Sequence, residues 1–203
     1  MAGMKSIPLP EVLELLRSLP VKYAAIVAIG VTTGCRISEL LALRRFDLID
    51  RDGNFRDRIS FLLLKKKKKK CHTVHRKLRI PEDFRPFIAE HLNRDARRGY
   101  ERPDHYVFRG KCGKPLSRQT VYRMFRSLLG EGHGTHWMRK TFAQLIFHFF
   151  LRDNPADPMR ALELTRKALA HERIDTTVKY LGITEEAIDT AQNAIFTIKD
   201  RHQ

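Results

Sequence analysis

At 203 residues the chain is long enough to bury one full core, and a single compact domain is the default expectation. A hydrophobic content of 42% fits a globular protein, whereas a net charge of +16 and a pI near 10.2 favour a polyanionic partner, either nucleic acid or an anionic membrane surface. No apolar run approaches the roughly 18 residues of a membrane span, the N-terminus MAGMKSIPLPEV lacks a signal-peptide core, and the three cysteines, Cys35, Cys71 and Cys112, form no paired framework. The leading class is therefore a cytoplasmic protein that works on nucleic acid.

Pro10 opens a short amphipathic segment, EVLELLRSL, and the almost uninterrupted apolar run from Val21 to Ile29 reads as a buried helix. The chain turns at Gly34. Beyond it, ISELLAL has helical spacing, with Leu40, Leu41 and Leu43 inward and Glu39 one turn from Arg36, which sits at the helix start. From Ile59 the pattern changes to ISFLLL, six lysines and CHTVHRKLRIP, which reads as a hairpin with a long basic turn. Pro81 begins a helix through FRPFIAEHLNR whose regular part starts near Pro86. HYVFRGKCGKPLSRQ reads as a short strand and turn, and Ser117 as the N-cap of a helix that Gly130 ends. An apolar helix carrying FAQLIFHFFL follows, then the loop RDNPADP, a helix capped by Asp157 with Pro158 in its first turn, and a tail helix opening at Thr184. The expected fold class is mainly α with a small antiparallel β-sheet, as one domain over 1–203 with its core in 1–181 and a tail in 182–203.

Three motifs stand out along this order. TTGCRISEL carries Arg36, GTHWMRKTF sets His136 and Arg139 three residues apart at a helix start, and LAHERIDTTVKYLG places His171 nine residues before Tyr180. Two arginines suit phosphodiester chemistry, because each guanidinium is permanently charged and donates in a fork to non-bridging oxygens. A tyrosine hydroxyl is a fair nucleophile once its proton has a route away. Imidazoles suit proton handling beside the phosphate. Taken singly, each residue also has a plain structural reading: a helix-terminal ion pair for the arginines, a satisfied core side chain for the histidines, a core tyrosine for Tyr180. Between Lys65 and Arg79 there are nine Lys or Arg residues and no acid, which is either a solvated charge run or a phosphate-binding tract held by the flanking apolar segments. Cys71, His72 and His75 lack a second cysteine pair and lie among lysines that repel a cation, which argues against structural zinc.

An arginine, a His-x-x-Arg pair, then His and Tyr near the C-terminus is the order of the tyrosine recombinase (phage integrase) catalytic domain, and this sequence resembles that family from about Ile7 to Tyr180. The resemblance implies a site-specific recombinase that cleaves and rejoins DNA through a 3′-phosphotyrosyl intermediate without a cofactor. Tyr180 would be the nucleophile, Arg36 and Arg139 the phosphate clamp, and His136 and His171 the proton-handling donors. Members also use a hairpin lysine as general acid to the 5′ oxygen. Strand parity favours Lys65, while Lys66, Lys67, Lys68, Lys69 and Lys70 compete and, with Arg76, Lys77 and Arg118, are candidates for DNA contact. The implied partners are double-stranded DNA and other protomers, a tetrameric synapse on DNA and a monomer or weak oligomer away from it, with the tail helix packed on a neighbouring protomer.

Two departures from the family pattern are visible. Ala170 stands where members have a glycine before the histidine, and the interval from Arg139 to His171 is longer than usual, with the extra residues expected in RDNPADP. Most members also carry an N-terminal helical domain, so the chain reads either as a fragment or as a short single-domain member like the fimbrial phase-variation invertases. A type IB topoisomerase and a non-catalytic DNA-binding regulator are the alternatives. The HERIDTTVKY context favours recombination, and the presence of every core catalytic residue type argues against a regulator.

Overall fold

The computed structural model describes residues 6–62 and 75–181. Within these, the chain forms two compact units, one ending at Phe142 and the other beginning at Ala143. The lysine run from Lys65 to Lys70 and the tail from residue 182 lie outside the described residues.

The first unit is built around α2 (Val21–Thr33), whose residues from Ala24 to Val31 are all buried. A helix apolar on every side belongs in a core, and this one packs against α1 (Leu9–Ser18), α3 (Ile37–Leu41) and α5 (Arg85–Ala96). Pro20 precedes its first turn, and Gly34 ends it in the left-handed conformation at φ 56°. In α1, Pro10 lies in the first turn, where a missing N–H costs nothing, and Val12 and Leu16 bury one face at i, i+4 spacing. A short α4 (Arg45–Leu48) leads to β1 (Ile59–Leu62), which pairs antiparallel with β2 (His75–Leu78), Ile59 opposite Leu78 and Phe61 opposite Arg76. Ile59 and Phe61 are buried, so the alternation read from the sequence holds over the described part of the strand. Leu40, Leu41 and Leu43 are buried as expected.

A single 3-10 turn after Pro81 precedes α5, and Pro86 falls in its first turn. The stretch 105–119 differs from the strand expected there. It makes isolated bridges, Arg44 with Tyr106 and Arg109 with Pro115, around a 3-10 turn at Lys111–Gly113. Gly110, Gly113 and Pro115 interrupt it too often for a ladder to extend. Ser117 caps α6 (Arg118–Leu129) by accepting the Thr120 N–H at 3.1 Å, and Gly130 closes it.

His91 of α5 is buried with its ring stacked on Phe108, centroids 5.2 Å apart, and Nε2 donates to the Val107 carbonyl at 2.8 Å. Burial pushes its pKa below the usual 6.5, against the raising effects of the Val107 hydrogen bond and of Asp95; Lys22 and Arg109 push it further down. The folded state therefore holds this ring neutral while the unfolded chain protonates it. Its contribution is complete above about pH 6.5 and declines as pH falls from there towards the folded value. Denaturant melts between about pH 7 and pH 5 should show stability falling, and His91→Gln, which keeps a donor for Val107, should reduce the slope. An unaltered slope in that variant would assign the pH dependence to other groups.

α7 (Trp137–Asp153) passes from the first unit into the second. In the second unit, α8 (Pro158–Leu169) starts from Asp157, whose carboxylate accepts the Arg160 N–H at 2.9 Å, and packs against α9 (Ile174–Leu181). No described helix is long and apolar enough to cross a membrane.

Candidate active site

Arg36 sits just past the Gly34 turn, at the N-cap of α3. Its backbone N–H donates to Glu39 Oε2 at 2.9 Å, and its Nη1 donates to Glu39 Oε1 at 2.9 Å. Glu39 is thus both the helix cap and the orienter of the guanidinium, as the i, i+3 spacing predicts. The Glu39 side chain is fully buried, whereas that of Arg36 keeps 23% exposure, so the pair is held from beneath and presents its cation outward.

The other arginine of the expected clamp, Arg139 on α7, is 2% exposed, and its Nη1 donates to the carbonyl of Gly34. One turn on, Phe142 covers the same residue. A Cβ placed on Gly34 would lie 2.3 Å from the Phe142 ring, and one on Gly30 would lie 2.4 Å from the Met138 sulfur. Gly30 in α2 and Gly34 at its C-cap, four apart, therefore leave room for the side chains of Met138 and Phe142, four apart on α7. The arginine-bearing turn and the His-x-x-Arg helix are fitted together by two absent side chains.

Three further contacts fix the start of α7. The Trp137 indole is fully buried, edge-on to Phe125 at 5.6 Å. The Thr141 hydroxyl accepts the Ile7 N–H at 3.0 Å and donates to the Ile7 carbonyl at 3.2 Å. His136 is half-buried and stands just before the first helical residue, its carbonyl accepting the Lys140 N–H at 3.0 Å. It therefore lies at the mouth of the helix, one turn from Arg139.

In the second unit, His171 and Tyr180 meet directly, ring centroids 5.1 Å apart. His171 is 5% exposed and its Nδ1 is 3.0 Å from the hydroxyl of Thr177. Thr177 and Tyr180 are three apart on α9 and share a face, so the threonine that holds the histidine also directs it at the tyrosine. The backbone is held as firmly. The His171 N–H donates to the Arg166 carbonyl at 3.1 Å, and Arg166 Nη1 returns a bond to the His171 carbonyl at 2.7 Å. Glu163 grips the rest of that guanidinium with two 2.7 Å bonds, and the hydrogen bond from Arg166 lowers the pKa of the Glu163 carboxyl.

Ala170, in the place of the family's glycine, is left-handed at φ 52°. An L side chain there costs about 1–2 kcal/mol, and part of any gain from glycine is lost to the greater freedom of the unfolded chain. Ala170→Gly should raise stability by up to about 1 kcal/mol, measured by denaturant melts, with no loss of activity. A destabilised variant would show that the methyl is held by packing.

The remaining candidates lie on other elements or outside the described residues. Lys77 is exposed and pairs with Ser60 across the hairpin, Arg76 is its neighbour on β2, and Arg118 is exposed at the start of α6. Lys65, Lys66, Lys67, Lys68, Lys69 and Lys70 lie outside the described residues. Gly30, Phe142, Thr141 and Arg166 were not singled out by sequence. Signals for two of them were present, a Gly-x-x-x-Gly step in GVTTG and a Glu-x-x-Arg pair one turn before a helix end. Among the described residues no group of His, Cys, Asp and Glu could hold a metal ion.

A sequence profile described as the phage integrase family matches residues 8–186. No curated protein matches the chain significantly in sequence. Among solved structures, XerA recombinase is similar at TM-score 0.65 and 20% identity, with 98% of this chain and 67% of that one covered. XerH site-specific recombinase, bound to a palindromic difH substrate in a post-cleavage complex, has TM-score 0.63 and 18% identity over 94% of this chain and 53% of its own. A lambda integrase dimer bound to a COC′ core site has TM-score 0.57 and 15% identity over 89% and 48%. The chain thus spans from about half to about two thirds of these proteins, and at such identities the likeness speaks for the fold, a mainly helical catalytic domain with a small antiparallel sheet. With the profile covering most of its length, the chain belongs to the phage integrase family, the tyrosine recombinases.

Proposed function

We propose that this chain performs its family's reaction on double-stranded DNA, with Tyr180 as nucleophile. The Tyr180 oxygen attacks a backbone phosphorus, a 3′-phosphotyrosyl ester forms, and the P–O5′ bond breaks. The 5′ oxygen leaves as a hydroxyl after taking a proton from a hairpin lysine, for which Lys65 is the candidate. Attack by the 5′ hydroxyl of a partner strand then releases Tyr180 and reseals the backbone. Arg36 and Arg139 donate to the non-bridging oxygens as charge builds in the transition state, and His136 and His171 donate hydrogen bonds and carry the tyrosine's proton away. No cofactor is required by this scheme.

The observation that carries the reading is the His171 to Tyr180 ring contact at 5.1 Å, fixed by Thr177 inside a chain matched by the family profile. The DNA complex of XerH and the lambda integrase dimer on its core site support DNA as substrate and further protomers as partners; a tetrameric synapse in a cytoplasmic setting completes the proposal. Recombination is preferred to relaxation by a lone topoisomerase-like monomer because the profile is that of the integrases. The direct test is a substrate nicked near the cleavage site, on which loss of a short 5′ fragment traps a covalent protein–DNA adduct that peptide mapping should assign to Tyr180.

The lysine run gives a separate expectation. If Lys66 to Lys70 contact phosphates, their replacement by glutamine should flatten the dependence of log K on log salt by about 0.9 per lost contact. An unchanged slope would make the run a solvated loop.

A further inference from the structure

Away from the Gly34 end of α2, near its first turn, the first unit holds a cleft of about 320 Å³ lined by Lys22, Asp95, Arg98, Tyr100, Arg109 and the loop around Gly113. Arg109 is its fixed point. Its guanidinium lies over the Tyr100 ring, 3.2 Å from the centroid, and Nη2 donates to Asp95 Oδ2 at 3.2 Å. Its Nε is buried without an acceptor among the described residues, a rare condition for a donor in a folded protein. Lys22 spends one bond on the Arg109 carbonyl at 3.2 Å. The guanidinium of Arg98 has no acidic partner among the described residues. Asp95 offsets Arg109, so Lys22 and Arg98 leave the cleft with two uncompensated positive charges. The wall on one side is bare backbone: at Gly113, φ 71°, a Cβ would meet nothing within 4 Å. The segment from 105 to 130 that supplies Arg109 carries six Lys or Arg and no acid.

Cations gathered in a cleft raise the local potential and draw anions. Donors from Lys and Arg suit phosphate oxygens, and the volume lies at the lower end of ordinary ligand pockets. We propose that this cleft is a phosphate-binding site, distinct from the catalytic arginines, in which Lys22 and Arg98 grip one phosphate group beside the preset Arg109. The phosphate belongs either to a small free phosphate compound or to a DNA backbone passing the cleft, and the two sources separate experimentally.

Cys112 is exposed and lines the same cleft, so its alkylation by a maleimide, read by peptide mass spectrometry, is a local probe on the intact chain. Alkylation is followed in chloride buffer with added inorganic phosphate, pyrophosphate or a short duplex of arbitrary sequence. The comparison is with Lys22→Gln/Arg98→Gln, which leaves the Asp95, Tyr100 and Arg109 unit in place and should melt like the parent. A free-phosphate site is expected to protect Cys112 with phosphate or pyrophosphate, the half-protecting concentration rising about tenfold in the variant. A backbone-phosphate site is expected to show protection by duplex alone, with the salt slope of duplex binding lowered in the variant by about 0.9 per lost contact. Protection that is absent, or the same in variant and parent, overturns the proposal. No arm depends on Tyr180 or on strand cleavage, so this result stands apart from the test of the recombinase reading.

Discussion

Tyr180→Phe is expected to bind DNA like the parent protein and to form no covalent adduct at all. The substitution removes one oxygen from a half-buried ring on α9 and keeps the ring that meets His171 at 5.1 Å, so the fold and the DNA-binding surface should survive. Without the hydroxyl there is no atom to bond to phosphorus. An adduct that persists and maps to another tyrosine would falsify the site assignment, and no adduct with the parent protein on its own site would favour a DNA-binding regulator. The arginines call for more care. Loss of one preorganised donor to a developing charge lowers a rate by at least about a hundredfold, but Arg36→Ala also strands the fully buried Glu39 carboxylate, which destabilises independently. Arg36→Ala/Glu39→Gln removes that second effect, and the hundredfold loss should remain. Added chelator should change neither result, because in the proposed scheme the arginines supply the positive charge.

Gly34→Ala is the expected large effect on stability. At φ 56° an alanine is strained by about 1–2 kcal/mol. Its methyl would also collide with the Phe142 ring, some atoms of which lie 2.3 to 2.9 Å from the Cβ position, and overpacking of this kind costs about 1–3 kcal/mol. Together these predict a loss near 3 kcal/mol, or roughly 10 °C in Tm for a chain of this size. Activity should fall further than stability, since the displaced carbonyl is the anchor of Arg139 and a shift of about 1 Å in a catalytic group can cost a hundredfold. Phe142→Leu in the same chain should restore the steric part and leave the backbone part, giving a coupling energy in a double-mutant cycle. If Gly34→Ala melts like the parent, the close approach of α2 and α7 is not what holds this turn.

The sequence was most legible where one residue acts through backbone chemistry or periodicity alone. Gly34, Ser117, Gly130, Asp157 and Pro158 punctuate helices as their side chains require, and Glu39 serves Arg36 as an i, i+3 pair should. What could not be read depends on contacts between distant segments. Gly30 appears as one more small residue in an apolar run until Met138 is brought against it, and Thr141 as a surface polar group until Ile7 returns to it. The 105–119 stretch misled because its apolar residues suggest a strand, while its glycines and proline permit only bridges. Arg166 fell between the two cases, since its pairing with Glu163 was local but its grip on the His171 carbonyl was not.

The bonds joining Ile7 to Thr141 and Arg139 to Gly34 span 134 and 105 residues. During synthesis the ribosome delivers the Gly34 turn long before the helix that locks it, and closing so large a loop carries an entropic cost that only the finished packing offsets. The Arg36 turn therefore has only its local bonds, to Gly30 and Glu39, until α7 emerges. In the proposed scheme a nascent chain holds Arg36, paired locally with Glu39, before Arg139 exists to complete the clamp, and cutting of DNA would become possible only late, with the helix that also leads into the unit carrying Tyr180.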